Sequence, residues 1–143
     1  MSKIKAGIIG VGSCAKSLVE GVQYYNENPE DKIGLMYEDI GGYSVHDIEF
    51  VIGFDIDKRK VNKKLAKALR AQPNCAMDHV EKITTTSNSS AVNNDAMVYS
   101  APEMDGIAPH MHDYPDEVTF VNGAVPAESF ERTVELLQYH DVD

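Results

Sequence analysis

Apolar residues fall in short blocks along the chain, and their spacing alternates between strand-like and helical. Ala6 to Ile9 is a compact apolar run that meets Gly10-x-Gly12-x-x-Ala15. Beyond it Leu18, Val19, Val22 and Tyr25 recur at the spacing of one helix face. The pattern predicts a strand, a tight turn and a helix from Cys14 to about Tyr25, with Ser13 placed to cap the helix. Turn formers from Asn26 to Asp31 end it. Glu49 to Asp55 reads Glu-Phe-Val-Ile-Gly-Phe-Asp, the near-continuous apolar run of a buried parallel strand, and it stops at a carboxylate. A second helix is expected from about Lys58 to Ala71, with Val61, Leu65, Ala68 and Leu69 on one face, ended by Pro73. Strands are expected over Lys82 to Thr86 and Ala96 to Ser100, and a short one over Val118 to Val121. The last helix has Pro126 near its first turn and Phe130, Val134 and Leu137 at i, i+4 and i+7, and should end near His140. Asp141-Val142-Asp143 reads as the approach to another strand.

Strands alternating with helices give a parallel sheet covered on both faces. The expected fold is therefore α/β, a Rossmann-type doubly wound parallel sheet that is incomplete, with any ligand at the carboxyl ends of the strands. The segment from Asn28 to Asp47, about twenty residues without a clear element, is long for such a fold, and loops of that length carry function or pack on a neighbour.

Each small residue of the first turn has a distinct physical role. Gly10 lets the chain turn sharply, Gly12 keeps a side chain away from an approaching pyrophosphate, and Ala15 lets the helix pack close to the strand. The first helical N–H groups and the positive end of the helix dipole then favour the phosphates of a dinucleotide. The bland alternative is an ordinary strand-to-helix turn whose glycines serve only the backbone. Asp55 extends the dinucleotide reading, because an acidic residue at the end of the second strand accepts hydrogen bonds from the adenosine ribose. Its distance from the glycines is roughly twice the usual twenty residues, and the Asn28 to Asp47 insertion accounts for the excess. Asp57 competes for the role but is better placed to cap the second helix. A carboxylate at Asp55 would repel the 2′-phosphate of NADP by roughly 1 kcal/mol at about 4 Å in water. NAD is favoured, although Lys58 and Arg59 would soften that repulsion.

Composition narrows the partners. The 143 residues, 43% apolar and 25% charged, suit one soluble globular domain spanning residues 1–143. No apolar run approaches the roughly 18 residues of a membrane span, and the start Met-Ser-Lys-Ile-Lys lacks a secretory stretch, so a cytoplasmic location without membrane contact is expected. A net charge of −10 argues against general affinity for nucleic acid. Seven of the thirteen basic residues nevertheless lie between Lys58 and Arg70, a run that reads as the solvated face of a helix. Cys14 and Cys75 read as free thiols, with Cys14 a small side chain beneath the phosphates. His46, His79 and His140 stand alone, and His110-x-His112-Asp113 lacks the i, i+4 spacing of paired metal ligands on a helix. No metal site is expected. The triplet Asn88-Ser89-Ser90 carries little weight as a glycosylation signal, no P-loop motif occurs, and no nucleophile, base and orienter stand out as a catalytic set.

Several segments in order resemble the N-terminal part of the bacterial and archaeal myo-inositol 1-phosphate synthases. They are Gly10 to Tyr25, Gly-Leu-Met at 34 to 36, Gly-Tyr-Ser-Val-His-Asp-Ile-Glu-Phe-Val-Ile-Gly-Phe-Asp-Ile-Asp at 42 to 57, Lys60-Val61, and Ala-Pro-Glu-Met-Asp-Gly at 101 to 106. The family has Asn where this chain has Ser13, and its members are more than twice as long. The resemblance implies an isomerase that converts glucose 6-phosphate to inositol phosphate by NAD-dependent oxidation, intramolecular aldol closure and re-reduction. It implies a homotetramer whose catalytic lysines and tetramerisation sheet lie beyond Asp143, so that this chain alone would be inactive. It also places Gly10, Val11, Gly12, Ser13, Cys14 and Ala15 under the NAD pyrophosphate, Asp55 on the ribose and Ile56 beside the adenosine. Two other readings stay open: the NAD-binding module of a different oxidoreductase, and a non-catalytic nucleotide-binding regulatory domain.

Overall fold

The computed structural model describes residues 3–87, 89–104, 108–122 and 126–143. Strand β1 (Ile4–Ile9) leads through the glycine turn into helix α1 (Ser13–Glu27), and after the long loop β2 (Ile48–Asp55) runs parallel to β1. Helix α2 (Leu65–Ala68), β3 (Val98–Ser100) and α3 (Phe130–Tyr139) follow. The sheet order is β1-β2-β3, all parallel, so the uniformly apolar β2 is central and six of its eight residues are buried. Val19 and Val22 of α1, with Leu65, Ala68 and Leu69, share one apolar cluster with Phe50. Leu136 and Leu137 of α3 share the other with Ile52 and Phe54. This is an incomplete Rossmann-like α/β arrangement. The N–H of Asp143 donates to the Lys5 carbonyl at 3.0 Å, so Val142 and Asp143 run beside β1 as the approach to a strand would.

The expected second helix is mostly absent. Only Leu65–Ala68 is α-helical, because the preceding residues bond across to the approach of β3. Asn62 N–H donates to the Val98 carbonyl, Val98 N–H to Lys63 and Leu65 N–H to Ala96, while Asn62 turns the chain with φ of 61°. Backbone groups spent on those links cannot form helical i→i−4 bonds. The expected strand at Lys82 to Thr86 is likewise irregular, since its backbone is held by a side chain: Gln23, fully buried on α1, donates to the Lys82 carbonyl and accepts from Thr84 N–H. Val118 to Val121 forms no strand either, although Asn122 makes a single bridge with Asp57.

Helix α3 begins later than Pro126 suggested, capped by Ser129, whose hydroxyl accepts from Arg132 N–H. Of the expected face, Leu137 packs against the sheet while Phe130 and Val134 are exposed, and Leu136 is the most buried residue of the helix. The region after Ile107, which the sequence left unassigned, holds a 3₁₀ turn over Pro109–Asp113. Asn88 and the Asp105-Gly106 pair lie outside the described residues. No helix among the described residues is long and apolar enough to cross a membrane.

Leu65 is fully buried against the sheet at Gly53. Leu65→Ala should lower stability by about 2–5 kcal/mol, the usual cost of a buried cavity, in urea unfolding. A change within about 0.5 kcal/mol, the size of an ordinary surface substitution, would show that α2 does not pack as described.

Candidate functional site

The two glycines of the turn differ in what they need. Gly10 has φ of +91°, a conformation that side chains rarely adopt, and its N–H donates to the Phe54 carbonyl at 2.8 Å, tying the turn to β2. Gly12 has φ of −92° and ψ of −168°, extended backbone open to most residues. A Cβ built on Gly12 meets no atom within 4 Å. Neither conformation nor packing against the described residues demands glycine there; the backbone-only reading covers Gly10 fully and Gly12 only through the general preference for glycine at a helix N-cap.

Gly12 is the N-cap of the fifteen-residue α1, and no side chain caps that end. Ser13 is therefore the first helical residue rather than the cap, and its hydroxyl accepts from Cys75 N–H at 3.1 Å. Val11 is fully buried beneath the turn and Ala15 packs at the edge of the core. Cys14 is exposed with a free thiol, not enclosed by other side chains.

Asp55 is almost wholly buried, at 7% exposure. One carboxylate oxygen accepts from Val11 N–H and the other from Asp57 N–H, both at 2.8 Å. The ammonium of Lys60, at 1% exposure, lies 3.6 Å away and donates to the Val11 carbonyl and to Asn74 Oδ1. Asn74 in turn donates to the same Val11 carbonyl at 3.0 Å. Burial holds the Lys60 pKa below its ordinary value despite the opposing pull of Asp55 and Asp57. Asp55 thus already binds the turn to the end of β2, and the two accepted bonds leave part of its acceptor capacity for a ligand. Sequence reasoning missed Lys60 and Asn74, since Lys60 was read as the polar face of a helix that does not form there.

Asp57 does cap the first turn after β2, accepting from Arg59 N–H at 2.8 Å, but it has a larger role. Fully buried, it takes the Arg59 guanidinium side-on, with contacts of 2.9 and 2.6 Å. Arg59 also donates to the carbonyls of Asp116 and Thr119, and Asp57 accepts from Val121 N–H. These bonds strap residues 116–122 beside the end of β2. Arg59 is consequently committed and Lys58 is exposed, so the cation that stands next to Asp55 is Lys60.

The strap helps to form an open cleft of about 350 Å3 at the carboxyl ends of the strands. Gly10, Gly12 and Asp55 line it, with Ile56, Pro102 and Phe120 as apolar walls. The cleft joins a helix N-terminus, a partly satisfied carboxylate and flat apolar surface, a combination suited to phosphate, ribose and a heterocyclic ring.

No protein-family model matches the chain. The inositol-3-phosphate synthase of Corynebacterium glutamicum is 40% identical over 120 residues, which are 82% of this chain and 31% of that protein. The synthase of the same name from Mycolicibacterium smegmatis is 35% identical over 143 residues, 99% of this chain and 35% of that protein. The chain is homologous to a part of the inositol-3-phosphate synthases. It spans about a third of the length of the curated relatives it matches. A myo-inositol-1-phosphate synthase-related protein from Thermotoga maritima superposes with a TM-score of 0.65 over 99% of this chain and 33% of its own, and at 18% identity that likeness speaks for the fold alone.

Burial pushes the Asp57 carboxyl pKa up, but the Arg59 side chain and the N–H groups of Arg59 and Val121 outweigh it and hold the carboxyl below its usual value of 3.8. The stabilisation is therefore complete above that unfolded value and is lost as pH falls through the lower folded one. Asp57→Asn should reduce stability at neutral pH and flatten the acid side of the stability profile measured by urea unfolding. An acid limb as steep as the wild type's would contradict the strap's dependence on this charge.

Proposed function

We propose that the chain is the dinucleotide-binding part of an inositol-3-phosphate synthase, with NAD held in the cleft at the carboxyl ends of β1, β2 and β3. The observation that carries this reading is Gly12. It sits at a helix N-terminus that no side chain caps, in ordinary backbone conformation, and an added Cβ would meet no described residue beyond its chain neighbours within 4 Å. A pyrophosphate approaching the backbone supplies a specific reason for glycine beyond the general N-cap preference.

In this reading Gly10, Val11, Gly12, Ser13, Cys14 and Ala15 form the pyrophosphate cradle. The first-turn N–H groups of α1 donate to phosphate oxygens, assisted by the helix dipole. The remaining acceptor capacity of Asp55 takes the ribose hydroxyls, and its fixed place follows from its bonds to Val11 and Asp57. Ile56 and Phe120 flank the adenine. Bound NAD would supply a hydride acceptor for oxidation of glucose 6-phosphate and the donor for the later reduction. The residues described here bind and orient it, and the groups that act on the sugar belong to other parts of the full protein.

Asp55 also favours NAD over NADP. Its neighbour Lys60 offsets part of the charge, but Lys60 donates inward to Val11 and Asn74, which leaves the carboxylate oxygens facing a 2′-phosphate.

Gly12→Val tests the cradle directly. Because no described residue outside its chain neighbours lies within 4 Å of an added Cβ, the variant should stay folded, with a loss of about 1 kcal/mol or less from placing valine at the N-cap. Titration of the labelled chain with NAD, followed by amide NMR, should shift Gly12, Ser13, Cys14 and Ile56 in the parent and leave them unmoved in the variant. Equal shifts in both proteins would sink the proposal. In an assay for inositol phosphate from glucose 6-phosphate, the 143-residue chain should show no turnover, and robust turnover would contradict the assignment of the sugar chemistry to other parts.

A further inference from the structure

A second hollow lies apart from the dinucleotide cleft and has the opposite charge. Lys64, Lys67, Arg70 and Lys82 line an open cavity of about 400 Å3, together with Thr85 and Asn93. None of these residues lines the cleft at the glycine turn. The chain as a whole carries a net charge of −10, so four cations gathered around one recess need a reason.

The structure divides the basic run that the sequence offered as a single solvated face. Arg59 and Lys60 turn inward to Asp57 and Asp55. Arg70 is partly spent on Glu20, a fully buried carboxylate of α1, and on the carbonyls of Val80 and Glu81. Lys64 donates to the Asn94 carbonyl and lies 3.4 Å from the exposed carboxylate of Asp95, a type of surface pair that contributes little. The ammonium groups of Lys67 and Lys82 have no hydrogen-bond or ion-pair partner among the described residues. Lys67 belongs to α2, while Lys82 belongs to the irregular stretch that Gln23 of α1 holds in place. The fold therefore brings together two unpaired cations fifteen positions apart in sequence, and a recess concentrates the field they share.

Like charges lining one hollow repel, weakly where water and salt screen them, and an anion between them turns that repulsion into attraction. We propose that this hollow binds a small anion carrying two or more negative charges, of the phosphate-ester or polycarboxylate class. Lys67 and Lys82 are the principal contacts, and Lys64 and the Arg70 guanidinium complete a positive rim. The volume suits a small molecule rather than an extended chain.

The test is an amide NMR titration of the labelled chain at low salt, with pyrophosphate in one arm and citrate in the other. Saturable shifts centred on Lys67, Lys82 and Thr85 are expected, weakening as salt is added. Both lysines are exposed, so the Lys67→Gln/Lys82→Gln variant should keep the parent spectrum and lose affinity by about tenfold or more. Saturation by pyrophosphate alone assigns the phosphate class, and saturation by both anions assigns the shared charge as the determinant. Shifts confined to residues 10–15, absence of saturation with either anion, or an unchanged affinity in the double variant would overturn the proposal.

Discussion

The carboxylate of Asp55 is the constraint on which the candidate site depends. It ends the central strand, accepts from Val11 on the glycine turn and from Asp57 on the next turn, and has Lys60 at 3.6 Å. The glycine turn and the stretch from Asp55 to Lys60, distant from each other in sequence, are thereby fixed around one buried charge. Its desolvation is offset by two N–H donors and a cation, and without them a carboxylate at 7% exposure would be costly to bury. The same bonds that stabilise the charge set the position of the turn, so the geometry of any phosphate site at α1 is coupled to the end of β2.

A second buried carboxylate repeats the device one step further on. Asp57 holds Arg59, and Arg59 holds residues 116–122, which supply Phe120 to the cleft wall. Removing one partner of such a buried pair leaves the other charge uncompensated, so the pair holds the two segments together. These bonds explain how a segment with almost no regular secondary structure keeps a fixed place beside the sheet.

Where backbone pattern and burial agree, the sequence was legible. β1 and the central β2 were readable as short continuous apolar runs, α1 from its 3.6-residue period, and the glycine turn from its small residues between them. Asp55 was readable because the end of an apolar strand marks the carboxyl edge of a parallel sheet, whereas Ile56, which also lines the cleft, came only from the family resemblance. The helix expected from Lys58 failed because Asn62, Lys63 and Leu65 bond across to residues 96–98, a long-range preference that local periodicity does not register. The strand expected at Lys82 failed for a related reason, since Gln23 of α1 occupies its backbone groups. Lys60 was invisible as a site residue because its role depends on that same departure from helix. The two faces of the basic run could be separated only after the chain had folded, with Arg59 and Lys60 inside and Lys67 at the surface.

The central claim is that NAD lies across the glycine turn with its adenosine between Ile56 and Phe120. Intermolecular nuclear Overhauser contacts between the adenine protons of bound NAD and the labelled side chains test it most directly. Contacts to the Ile56 methyl groups and the Phe120 ring are predicted, with none to residues at the amino ends of the strands. Contacts centred instead on Tyr43 and Val45 of the long loop, or on the Lys67 and Lys82 hollow, would contradict it.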